Sequence, residues 1–139
     1  MTALEKITDW LRTFPLWEDG NVSVDYTDGL PGTVGLFPRG LEEVSRKIDV
    51  LGNVTVVNRL HFMLYRITTG QQHSPDHSTW LLALQNWIQQ QSVQGLAPCF
   101  GDDPAREKIR GEKGMLKNSL QTGTGKYAVE LTVEYIQNY

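Results

Sequence analysis

Residues 127–135 alternate without a break, with Tyr127, Val129, Leu131, Val133 and Tyr135 on one side and Ala128, Glu130, Thr132 and Glu134 on the other. Successive strand side chains point to opposite faces, so this run predicts a half-buried β-strand. At the start of the chain the period is different. Leu4, Ile7, Leu11 and Phe14 recur at helical spacing. Thr2 is placed to cap that helix, Glu5 stands at the capping-box position, and Pro15 ends the run.

Between these ends the pattern predicts six more elements. Val22, Val24 and Tyr26 mark a short strand between turn residues, and TVGLF (33–37) marks another that Pro38 should end. Residues 43–51 and 54–68 form the two arms of a hairpin about Gly52-Asn53, since glycine accepts the positive φ of a two-residue turn. The second arm is long, about 50 Å at roughly 3.3 Å per residue, so it either carries a bulge or projects from the domain body. Ser74-Pro75 opens a second helix with the apolar stripe Trp80, Leu81, Leu84, Trp87 and Ile88, and Gly95 stops it. A charged loop is expected over 96–114, and MLKNSLQ (115–121) then pairs with the closing strand across TGTG. The order is α-β-β-β-β-α-β-β. It predicts an α+β domain in which two helices cover one face of a mostly antiparallel sheet with a long central hairpin.

Composition narrows the function classes more than it selects one. A chain of 139 residues fits a single domain spanning 1–139. Its net charge of −3 leaves no basic footprint for nucleic acid, and no run of about 18 apolar residues suggests a membrane span. The amino-terminal residues carry no basic-then-apolar signal pattern. The single Cys99 excludes an internal disulfide, fits a reducing cytoplasm and is expected to be buried or half-buried.

No catalytic constellation emerges, and no cofactor or metal is expected. His73 and His77 are four apart, but the cap at Ser74 falls between them, so they should not share a helix face, and no neighbouring ligands complete a site. His61, within the long strand beside Met63 and Tyr65, reads as a satisfied half-buried histidine without a nucleophile to serve. GTGK (123–126) lacks the first glycine and the following helix of a phosphate loop, so it reads as a hairpin turn. Asp25, Asp28, Asp102 and Asp103 read as turn or cap residues. Trp10, Trp80 and Trp87 fall at core positions of the helices, whereas Trp17 is a candidate for a contact surface.

The whole layout resembles the tail terminator, or minor capsid, family of long-tailed bacteriophages and prophages. The likeness lies in order and pattern: the opening helix stopped at Phe14-Pro15, the early strand VSVDY, and the arginine-bearing strand LHFMLYRIT with Arg66. The tryptophan helix TWLLALQNWIQ and the closing strand YAVELTVEYIQNY complete it. The resemblance implies a non-enzymatic virion protein, synthesised in the host cytoplasm and located at the head–tail junction. It would assemble with itself as a homo-hexameric ring that caps the tail tube protein and meets the head–tail connector protein. Such a ring needs two different complementary patches on each subunit. Glu43, Arg46, Lys47, Arg59 and Arg66 of the hairpin are candidates for one, and Glu130 and Glu134 of the last strand for the other. Alternating charges on a strand are also what an ordinary solvated face carries.

Two rival classes stand beside this expectation. One is a small-molecule-modifying enzyme of the acyltransferase or drug-resistance type using a histidine base; the chain lacks a histidine followed at suitable spacing by Asp-Gly. The other is a monomeric adaptor that adds a partner strand to a sheet edge.

Overall fold

The computed structural model describes residues 2–17, 22–24, 34–69, 75–120 and 124–139. It is an α+β fold, with helices α1 (Ala3–Leu11) and α2 (Pro75–Val93) and strands β1 (Val22–Val24), β2 (Val34–Ile48), β3 (Val54–Thr69), β4 (Lys108–Leu120) and β5 (Thr124–Asn138). The strands form one sheet in the order β1-β2-β3-β5-β4. All neighbours are antiparallel except the short β1, which runs parallel to β2. Of the expected turn TGTG, residues 122 and 123 lie outside the described residues, and Thr124 and Gly125 belong to β5; the cap at Ser74, His73, Asp25 and Asp28 also lie outside, as does the side chain of His77.

Both helices lie on one face of the sheet, and their punctuation is the one written in the sequence. The Thr2 hydroxyl accepts the Glu5 N–H at 3.2 Å, a side-chain cap for an otherwise orphaned donor. Pro75 opens α2, where its missing N–H costs nothing. Gly95, at φ 71°, takes the left-handed conformation that follows a helix end. From α1 come Ile7, Trp10 and Leu11, and from α2 Trp80, Leu81, Leu84 and Ile88; all are buried against Phe62, Leu64, Val129, Leu131 and Val133 of the sheet. Aromatic rings join the helices: Trp10 stacks on Trp87 at 4.9 Å, and Phe14 meets Trp87 at 5.3 Å and Trp80 at 5.8 Å. The indole N–H of Trp10 donates to Gln91 and that of Trp80 to the Leu16 carbonyl, so both rings are buried with their polar ends satisfied. Trp17 also packs on this core, 6.1 Å from Trp80, and so is not the surface residue its position after Pro15 suggests.

The structure merges two expected strands into one. Pro38 does not end the strand at 33–37; β2 runs through it to Ile48 and pairs with β3 along its whole length. Proline lacks a ladder donor, which stops a central strand but is tolerated at an edge or a bulge. Pro38 has both conditions: β1 pairs only with Val34–Leu36, and the register shifts between Pro38 and Gly40. Gly40, at φ 111°, takes up the distortion. A second shift lies between Glu43 and Ser45. The bulges thus fall on β2, whereas the long β3 is unbroken. The hairpin loop differs as well. It comprises residues 49–53, and the Asp49 carboxylate accepts the N–H groups of Leu51 and Asn53, each at 2.9 Å, in place of a bare two-residue turn.

The expected loop over 96–114 is shorter, because β4 begins at Lys108. Only Ile109 is a large apolar residue between charged neighbours there, so no alternation announces the strand, yet it is buried opposite Val133. Gly111 lies beneath α2, where a Cβ would come within 2.8 Å of the Ile88 side chain. The remaining loop is tied down by acids. The Glu107 carboxylate accepts the N–H groups of Phe100 and Gly101. Asp102 accepts the Asn138 N–H at 2.7 Å and the Gln137 amide at 3.1 Å, and its own N–H donates to the Ile136 carbonyl. Cys99 is exposed on this loop, contrary to the expectation of burial, because it is the carbonyl of Cys99 that is engaged, by Lys6 Nζ at 2.8 Å.

Leu131 is fully buried where both helices meet the sheet. Leu131→Ala should lower unfolding free energy in urea by about 2–5 kcal/mol, whereas Val50→Ala in the exposed loop should stay within roughly 0.5 kcal/mol.

Candidate assembly surfaces

The register fixes which residues face away from the helices. On β3 these are Thr55, Val57, Arg59, His61, Met63 and Tyr65; facing the same way on β5 are Ala128, Glu130, Thr132 and Glu134. Among the described residues no helix covers this face, and its charges are largely matched within the chain. Arg59 Nε donates to Glu134 at 3.0 Å, with both side chains about one third exposed or less. His61 hydrogen-bonds to Thr132 through Nδ1 at 3.3 Å and to Glu42 through Nε2 at 3.1 Å, so it is the satisfied half-buried histidine its sequence context predicts. Phe37 and Tyr65 meet edge-on at 5.3 Å farther along the same face.

The residues singled out by sequence therefore divide in four ways. Arg59 and Glu134, assigned to separate patches, are partners within one chain. Arg66 points the other way, under α2, with its guanidinium 4.0 Å from the Trp80 ring centroid. That placement makes it part of the helix-to-sheet packing. Glu43, Arg46 and Lys47 stand together on the outer half of β2, and Glu43 and Arg46 bridge at 2.7 Å. Glu130 lies half-buried on the open face, in register with Glu112 of β4.

Two surface features carry no signal in the sequence pattern. The first is the outer half of β2 and its loop. From Pro38 onward every β2 residue is exposed, and Leu41, Ile48, Val50 and Leu51 are each at least 60% exposed. Runs of charge around them masked this apolar content. The second is a groove of about 680 Å³ at the opposite edge of the sheet, between α2 and β4, with Leu82, Val93 and Ile109 among its lining. Inside it α2 caps the β4 edge: the Ser92 hydroxyl accepts the Ile109 N–H at 3.1 Å, and the Gln85 amide donates to the Gly111 carbonyl at 3.2 Å. Neither glutamine nor serine on a helix announces such a role, since it exists only once the helix crosses the strand.

Among the described residues no group of three or more His, Cys, Asp or Glu is placed to hold a metal ion, and no helix is long and apolar enough to cross a membrane.

The loop at the tip of the β2–β3 arm has one titratable support. Asp49 is held below the usual carboxyl value of 3.8, first by the Asn53 side-chain amide and then by backbone N–H groups. The folded loop thus prefers the charged acid. Its support is complete above 3.8 and is lost as pH falls through the lowered folded value. The amide proton shifts of Leu51 and Asn53 should titrate together with a midpoint below 3.8, and Asp49→Asn should abolish that titration.

No protein-family model matches the chain, and no curated protein matches its sequence. The functional reading therefore rests on the surfaces themselves and on the pattern of the sequence.

Proposed function

We propose that the chain is a non-enzymatic structural protein of phage tail completion, acting as a homo-hexameric ring on the end of the tail tube and offering its free side to the head–tail connector. The observation that carries this reading is the pair of unlike surfaces at opposite edges of one sheet. On one edge stands an arm with apolar side chains at Ile48, Val50 and Leu51; on the other lies the α2–β4 groove with Leu82 and Val93 exposed beside it. A heterologous contact in which each arm enters the next groove repeats from copy to copy and forms a ring when its rotation closes. The sequence layout that resembles tail terminators supports the same assignment, since such a protein must bind its own copies side by side.

The arm is suited to this use because its apolar groups are carried on a strand pair. Their conformational freedom is already spent when β2 and β3 fold, so less is lost on contact. The groove is suited because the β4 edge within it is capped by Ser92 and Gln85. A neighbour is therefore received by side-chain packing and does not displace a backbone ladder.

Purified tail tubes lacking their terminator provide the test. Added protein should appear as a ring of roughly six copies at one end and stop tube growth. Val50→Asp/Leu51→Asp should keep the fold and weaken tube-end binding about tenfold or more, since a charge in an apolar contact costs on the order of 1–3 kcal/mol. Tubes that continue to lengthen in excess wild-type protein would overturn the reading.

A further inference from the structure

The outer half of β2 is a sheet edge left open. β1 covers only Val34–Leu36, and among the described residues nothing pairs with the outer side of β2 from Pro38 to Ile48. The other edge of the sheet is treated differently, as α2 side chains occupy backbone groups of β4. An unpaired row of N–H and C=O groups is a template for another strand, and charged residues on such an edge ordinarily prevent its use.

The order of the charges on this edge has a property that the general rule lacks. The segment reads Leu41-Glu42-Glu43-Val44-Ser45-Arg46-Lys47-Ile48. Reversed, it again has apolar ends and an uncharged Val/Ser centre, and every charge changes sign. We propose that two copies of the chain pair antiparallel along this edge about a two-fold axis between Val44 and Ser45. Glu42 and Glu43 of each copy then lie opposite Lys47 and Arg46 of the other, and Leu41 lies opposite Ile48.

Such pairing requires opposed residues to share a face, and here the bulge is decisive. In a regular strand, residues an odd number apart point to opposite sides, so Glu43 and Arg46 would not share one. The register shift between Glu43 and Ser45 inserts the extra residue Val44. Glu43 is then aligned with Asn58 and Arg46 with Val56, both on the helix side of β3. Glu42 is aligned with Arg59 and Lys47 with Thr55, both on the open side. Leu41 and Ile48, aligned with Leu60 and Val54, return to the helix side. The 2.7 Å bridge between Glu43 and Arg46 within one chain shows directly that these two side chains share a face. A two-fold axis normal to the sheet therefore matches every charge and every face at once, and it joins two sheets with their helices on the same side.

The same order rejects other registers. Sliding the pair by two residues sets Val44 opposite Lys47 and Glu43 opposite Ile48, so both kinds of matching are lost. Each exposed ion pair adds little affinity, but together they select the register while the backbone ladder and apolar ends supply attraction. The contact is isologous, so it ends at two copies. Apart from Ile48, which both contacts use, it involves residues other than those of the tail reading, whose contact is made by the loop tip and the far edge.

Charge reversal in two complementary variants provides the test. All four charged positions are on exposed β2, and circular dichroism checks that each variant keeps its fold. At micromolar concentration, light scattering after size exclusion should give the wild type twice its 15.7 kDa mass. Glu42→Lys/Glu43→Lys alone and Arg46→Glu/Lys47→Glu alone should each dissociate at least tenfold more readily, because like charges then face each other. An equal mixture should return to the doubled mass, since every opposed pair is again of unlike sign. In a Cys99→Ser background, Val44→Cys mixed with Ser45→Cys should form an intermolecular disulfide. A monomeric wild type, a doubled mass that neither reversal weakens, or a mixture that fails to recover would each overturn the proposal.

Discussion

The ladder between β3 and β5 is the constraint on which the other features depend. Its fifteen pairs run from Thr55 opposite Asn138 to Thr69 opposite Thr124 without a register shift. Because strand side chains have a period of two, a one-residue slip of β5 along β3 would carry Val129, Leu131 and Val133 out of the helix-covered core. It would bring Glu130 and Glu134 into it, at the cost of burying charge. The two helices can seat Trp10, Phe14, Trp80 and Trp87 only over a surface that this register presents. The ion pair of Arg59 with Glu134 and the stacking of Arg66 on Trp80 are consequences of the same alignment, one on each face.

Irregularity is displaced to the outer strands. β2 has register shifts at Pro38/Gly40 and Glu43/Ser45, and β4 has them between Glu112 and Met115 and between Leu116 and Asn118. Bulges bend and twist a strand and re-aim its side chains, changes that an edge accommodates more readily than a centre. At β4 the edge is further closed by α2, but among the described residues nothing closes it at the outer half of β2. The chain therefore has a sealed side and an open one, and the open side is where a bulge has reordered the charges.

The most regular parts of this architecture were the most legible. The alternation from Tyr127 to Tyr135 gave the helix-side face of β5 correctly because β3 stays in register along it, although Ala128 and Thr132 of the other face are buried as well. The opening helix was legible because cap and stripe agreed, although it ends at Leu11, ahead of the stop expected at Pro15. The two failures along β2 and β4 have one cause: local signals describe a strand in isolation. Pro38 is a stop only where its missing N–H would be needed, and that depends on how far β1 extends. Ile109 is one apolar residue among Lys108, Arg110 and Glu112, and its burial is decided by α2 lying above it. Arg59 and Glu134 looked like two surfaces since the sequence does not state that β3 and β5 are neighbours. The face shared by Glu43 and Arg46 was hidden for a different reason, as a bulge changes parity without leaving a residue-type signature at Val44.

Symmetry then separates the two contacts proposed for the open side. Pairing along β2 uses one patch on both copies and is complete with two chains, whereas an arm-to-groove contact uses two patches and is complete only when a ring closes. An isolated arm-to-groove link leaves one arm and one groove unfilled at its ends, so in free solution each short chain of subunits pays an association cost without closing. The isologous pair has no unfilled end. Mass action thus favours pairs when subunits are free, and a template that gathers several copies at fixed spacing reverses the balance by raising their effective concentration. On this argument the matched charges of Glu42, Glu43, Arg46 and Lys47 serve a physical need that the ring alone does not meet. In the proposed pair they cover an edge that would otherwise be a template for other strands.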